Sequence, residues 1–174
     1  MSSKSKAGEG KVMNVFTNLI APYYDSSRFG GTVGYAATGA VNEWIVRWIL
    51  KRKISLMDLG ASHVLAEPFL GVTGYYPTTP LSKAKTTENI FGGARHGVAV
   101  LIGQWLVSVF RQGFVFKMPS FMNALIVIGS KSLGRAELGV LFANLPVTLQ
   151  GQLDAHDQQN VVLDKASNFQ PKAD

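Results

Sequence analysis

Few residues of this chain have the means to do chemistry: Glu43 and Arg47; His63 and Glu67, with Asp58 ahead of them; Arg135 and Glu137; and the run Asp154-Ala155-His156-Asp157. Glu43 and Arg47 stand four apart with the acid on the N-terminal side, the orientation that favours an ion pair within one helix. A charged pair inside an apolar segment is a functional candidate. The stronger reading is plainer, because Arg47 lies one turn before the Lys51, Arg52, Lys53 cluster and can extend toward a membrane interface with Glu43 as its partner. His63 and Glu67 would share a helix face at a spacing that suits a proton relay or half of a metal site. A complete metal site needs more ligands than that helix offers, so no metal is expected. Arg135 and Glu137 form another charged pair. Contacts to partner proteins or headgroups are the favoured role for these intramembrane charges (Glu43, Arg47, His63, Glu67, Arg135, Glu137), ahead of a polar pathway. Asp154 to Asp157 has metal-like spacing but lies in a polar stretch, where solvation is expected.

Signatures of catalysis are missing. The chain contains no GxxxxGK[ST], no GxSxG and no HExxH. Gly30-Gly31-x-x-Gly34 only loosely matches a dinucleotide loop and lacks a strand before it. With no Cys there is neither a disulfide framework nor a thiolate site. Neither an enzyme nor a cofactor is expected.

The elements that carry these residues are read as membrane helices. Hydrophobic residues make up 47% of the 174, charged residues only 16%, and Gly numbers 18; a water-soluble domain carries about 25% charge. The mean hydropathy of +0.14 is low because the polar ends dilute it. The expected fold is all-α and polytopic, with about four short Gly-rich transmembrane helices arranged as two hairpins. Residues 1–10 read as a disordered basic tail and 11–26 as an amphipathic interfacial helix. Residues 27–149 form the membrane domain, with spans near 30–50, 54–76, 91–110 and 121–145, and 150–174 form a polar C-terminal tail. Span 54–76 is the weakest, being interrupted by Pro68, and the fourth can break near Gly129. Trp44 and Trp48 beside Lys51, Arg52 and Lys53 fit a membrane-interface belt. Small residues at four-residue spacing supply helix-packing positions: Gly30 and Gly34, Gly93 and Gly97, and Ser130 with Gly134 in the looser form. After Lys11 no small-residue cleavage site follows the apolar run, so the N-terminus is expected to be mature.

Three classes of function fit. The first is a non-enzymatic membrane structural or assembly protein; the second is a small transporter or channel using the internal charges; the third is a soluble helical protein whose apolar runs are its core. The basic N-terminal tail (Lys4, Lys6, Lys11), the spans near Gly31 to Leu50 and Gly97 to Phe110, and the polar ends resemble the small membrane-embedded minor capsid proteins of large icosahedral DNA viruses. That resemblance implies a link between an internal membrane and a protein shell, and hence a membrane or virion location. The expected partners are the lipid bilayer and other protein subunits of a larger assembly. The net charge of +6 is spread along the chain and calls for no nucleic acid. Basic residues flank both sides of the expected spans, so the positive-inside rule leaves orientation open.

Overall fold

The structure, a computed structural model, describes residues 20–70, 79–113 and 118–167, with the backbone alone for 159–167. Among these residues every regular element is helical. In chain order they are α1 (Phe29–Ile49), α2 (Leu56–Leu65), a 3-10 turn at Glu67–Phe69, α3 (Thr86–Gln112), α4 (Phe121–Leu141), a 3-10 turn at Phe142–Asn144 and α5 (Val147–Ser167). Residues 20–24 are also helical, and Tyr23 donates its hydroxyl to Val64 O at 2.7 Å, which ties this end to α2. The rest of the expected interfacial helix and the basic tail lie outside the described residues.

Local chemistry sets the boundaries. Ahead of α1, the Asp25 carboxylate accepts from the Ser27 hydroxyl and amide, which hold its pKa below the ordinary range. Helix α3 begins at Thr86, five residues before the expected Phe91, because Glu88 reaches back to the Lys85 amide at 3.0 Å and caps the first turn. Ser120 caps α4 by accepting from the Asn123 amide. No break occurs at Gly129: α4 runs unbroken to Leu141, then tightens into a 3-10 turn ahead of Pro146.

One expected span and the expected C-terminal tail change, and the four-span arrangement is not supported among the described residues. Of the expected span 54–76, residues 54–70 hold a ten-residue helix followed by the Pro68 turn, and 71–76 lie outside the described residues. Ten residues rise only about 15 Å, half the hydrocarbon thickness. Among the described residues one helix, α3, is long and apolar enough to cross a membrane by length and composition. Residues 150–167 are also no free tail, since α5 packs along α1 and buries Leu153, His156 and Asp157.

Helix α4 lies against both α3 and α1, while α2 packs on α1 and α3. Small residues permit these approaches. A Cβ on Gly93 would lie 2.6 Å from the Lys131 carbonyl oxygen, and one on Gly97 2.7 Å from Ile128 Cα, so this pair seats α3 on α4. Gly134 faces the Gly39 and Thr38 backbone at 3.2 Å. Ser130 is buried and donates its hydroxyl to Ile126 O. Gly34 makes only ordinary contact with Leu153, and Gly30 meets the flexible end of Gln152. The tighter α1–α5 approach belongs to Gly31, whose Cβ would stand 2.5 Å from Gln152 O.

The interior is unusually polar. Among the described residues thirteen buried hydrophobic side chains are matched by fifteen buried polar or charged ones, whereas charged side chains in water-soluble domains are almost never fully buried unless paired. Helix α1 displays the inversion directly. Its inward stripe includes Thr32, Tyr35, Gly39, Glu43 and Arg47, while Phe29, Val33, Val41, Ile45 and Trp48 face outward. Among the described residues the buried apolar side chains gather into two small clusters, Ala66, Leu70, Ala99, Val100 and Val127 in one and Tyr35, Leu81, Leu138 and Leu153 in the other, with Leu59 and Ile126 buried apart from them.

Candidate functional site

The buried polar groups form two centres. The first is built on Glu43. Arg47 donates Nε to Glu43 Oε1 at 2.7 Å, Gln104 donates Nε2 to the same oxygen at 2.8 Å, and His63 Nε2 lies 2.9 Å from Oε2. Asn123 closes the ring: it donates Nδ2 to Gln104 Oε1 at 2.9 Å and accepts from Arg47 Nη2. Arg47 comes from α1, His63 from α2 and Gln104 from α3, so three helices meet on one carboxylate, and Asn123 of α4 joins them through Gln104 and Arg47. The (i, i+4) pair read from the sequence is therefore real, and Arg47, only 7% exposed, is held against Glu43 at the inner wall of the end of α1 rather than extended into solvent.

The second centre is built on Glu67. The Pro68 turn that ends α2 points this side chain inward, where Oε2 lies 2.6 Å from His156 Nε2 and Oε1 lies 3.1 Å from His96 Nε2. The two imidazoles stack, 6.4 Å between centroids and 17° between planes, and Tyr35 packs against both. Beside them Arg135 forms a two-pronged pair with Asp157, Nη1 to Oδ1 at 3.0 Å and Nη2 to Oδ2 at 2.9 Å. Tyr35 completes that pair, accepting from Arg135 Nη1 at 2.8 Å and donating to Asp157 Oδ2 at 3.2 Å. Its ring also lies under the guanidinium, 5.2 Å from Cζ.

Lys131 connects the two centres. It is buried, donates Nζ to Tyr35 O at 2.5 Å and lies within electrostatic range of both Glu43 and Glu67. Gly39 makes its place possible, because a Cβ there would stand 2.7 Å from Lys131 Cδ and 2.8 Å from the His63 ring. Three carboxylates, Glu43, Glu67 and Asp157, thus face Arg47, Lys131 and Arg135, with Arg28 buried at the start of α1 as a further cation and all three histidines of the chain among them. Placing ions in a low-dielectric interior costs several kcal/mol each, which only paired and hydrogen-bonded geometry offsets.

Several pairings differ from those the spacing suggests. His63 and Glu67 both face inward, yet each takes a different partner. Arg135 pairs with Asp157 and not Glu137, which accepts from Asn42 at the surface. Asp58 pairs with Arg111 at 2.7 Å. Asp154 accepts from the Ser82 amide, whereas His156 and Asp157 are buried and not solvated, Asp157 being paired with the Arg135 guanidinium and His156 with Glu67. Trp44 and Trp48 are exposed beside Lys51, Arg52 and Lys53. Tyr35, Gln104 and Asn123 carry no local signal of their role, and Lys131 could have been singled out only as a further cation in an apolar run.

Chemically, the centres offer carboxylate–imidazole pairs, which can hold or pass protons, and permanent ion pairs, which fix geometry. Among the described residues no group of three ligating side chains converges on a metal position. No protein family, curated protein or solved structure matches the chain.

Proposed function

We propose that this chain is a membrane-embedded structural subunit, a helical bundle that presents apolar side chains to lipid and partner helices and keeps its charges inside. The observation that carries this reading is the inverted polarity: a network of paired ions within, and Phe29, Val41, Trp48, Phe110, Phe121 and Val140 outside, several of them more than half exposed. In hydrocarbon no hydrophobic force drives helices together, so packing across small residues and interhelical hydrogen bonds take over, and both are abundant here. Helix α3 would cross the bilayer, with α1 and α4 beside it and their charged residues turned inward. A position between an internal membrane and a protein shell, as the resemblance to minor capsid proteins implies, is the specific form of this role. Alkaline extraction of membranes carrying the full chain tests it. Retention in the pellet, and co-purification with defined shell or membrane subunits in mild detergent, is expected; a monodisperse chain in plain buffer overturns it.

A second reading has one observation in its favour. Glu67 between His96 and His156, and Glu43 on His63, are the pairings through which a proton relay would run. Proton flux in reconstituted vesicles that is lost in Glu67→Gln would select a transporter over a scaffold.

A further inference from the structure

The C-terminal end of α1 departs from ordinary helix termination. Lys51 donates its amide to Trp48 O at 3.0 Å and Arg52 donates to Arg47 O at 2.8 Å, the two bonds of a Schellman turn. The left-handed position of that turn, normally Gly, is occupied by Lys51 at φ 54°, the one non-glycine residue with positive φ among those described. The turn folds three successive cations back beside Trp48. A cleft of about 460 Å³ results, lined by Trp44, Trp48, Arg47, Lys51, Arg52 and Lys53, with no carboxylate in its wall.

Arg47 lies at this cleft almost wholly buried. Its Nε and Nη2 are committed to Glu43 and Asn123, while Nη1 makes no hydrogen bond with any described residue. Lys51, Arg52 and Lys53, successive in the chain, repel each other at short range, with Arg47, already paired to Glu43, behind them; a multivalent oxyanion removes that repulsion. Immediately beside it is a second crevice of about 230 Å³, apolar and lined by Ala40, Val41, Leu56 and Leu59, with Trp44 as the wall common to both. A cationic compartment next to an apolar one fits a molecule with an anionic head and a hydrocarbon tail. Indoles at the junction occupy the position they prefer at headgroup level.

We propose that this end of the bundle is a binding site for an anionic phospholipid, with the phosphate among Arg47, Lys51, Arg52 and Lys53 and an acyl chain along the α1–α2 crevice. This goes beyond a scaffold role, which needs no particular lipid. Where a free phosphate could supply the same head chemistry, the crevice favours the lipid.

The test uses the full chain in mild detergent and follows Trp fluorescence during titration with short-chain phosphatidylglycerol, short-chain phosphatidylcholine or inorganic phosphate. Saturable binding of phosphatidylglycerol, tighter than either alternative by about tenfold or more, is expected. Arg52→Ala/Lys53→Ala, both at exposed positions, should weaken it about tenfold while leaving the helical circular dichroism unchanged. Lys83→Ala/Lys85→Ala, which removes the same charge elsewhere, should not. Equal affinity for phosphate and lipid overturns the lipid assignment, as does equal weakening by the two double variants. If Arg52→Ala/Lys53→Ala loses helicity, the single variant Lys53→Gln decides by the same comparison.

Discussion

The imidazoles of His96 and His156 stack 6.4 Å apart with the Glu67 carboxylate spanning their Nε2 atoms. One residue in a 3-10 turn therefore holds a ring from α3 and a ring from α5 at once. Glu67→Gln keeps the shape but removes the charge and forces an amide N–H₂ toward one of the rings. A loss of about 3 kcal/mol in unfolding free energy is expected, the cost of breaking a buried pair. Thermal or denaturant unfolding in detergent measures it, and a loss below about 1 kcal/mol would show that the rings do not depend on this carboxylate.

Asp157→Asn removes the carboxylate charge that faces both prongs of the buried Arg135 guanidinium. The expected loss is about 3–5 kcal/mol, concentrated in the docking of α5. Hydrogen exchange should rise across 147–157 and stay nearly unchanged in α3. Asp154→Asn, three residues away on an amide contact with Ser82, should cost about 1 kcal/mol or less.

Two glycines separate packing from propensity. A Cβ on Gly103 would stand 2.1 Å from Ser62 O, so Gly103→Ala must push α2 from α3 and should destabilise by about 1–3 kcal/mol or more. Gly129, inside α4, meets nothing within 4 Å, so Gly129→Ala should stabilise by about 0.5–1 kcal/mol. The same unfolding assay checks both, and equal signs would contradict the helix contacts described above.

Lys51→Gly relieves the left-handed strain of the α1 turn and should raise stability by about 1 kcal/mol. The same change removes one cation from the cleft, so stability and lipid affinity should move in opposite directions. A gain in both would separate the turn from the site.

The helical class and the α1 ion pair were legible in the sequence because both are local: residues four apart on one helix either face each other or do not. The Gly93 and Gly97 spacing was legible for the same reason. What was hidden is non-local. Nothing in the sequence around Glu67 reveals His96 and His156, since the three lie on different elements and are brought together only by the bundle. Composition marks 150–174 as a polar tail, yet its described part packs on α1 and buries Leu153, His156 and Asp157. Gln and Asp normally mark solvent exposure, and only a buried cation such as Arg135, 22 residues away from Asp157, reverses that rule. The expected 54–76 span failed on length, because Pro68 stops α2 after ten residues and turns Glu67 inward.

The docking of α5 through His156 and Asp157 has a consequence for biosynthesis. Until residues 147–167 have emerged and folded back, Glu67 lacks one of its rings and Arg135 lacks its counter-ion, so the earlier helices can associate only as an electrically unfinished intermediate. The docking of α5 thus acts as a closing step for the association of α1 to α4. A chain cut before Val147 should be recognised by cellular quality control as incomplete, even though α1 to α4 are all present.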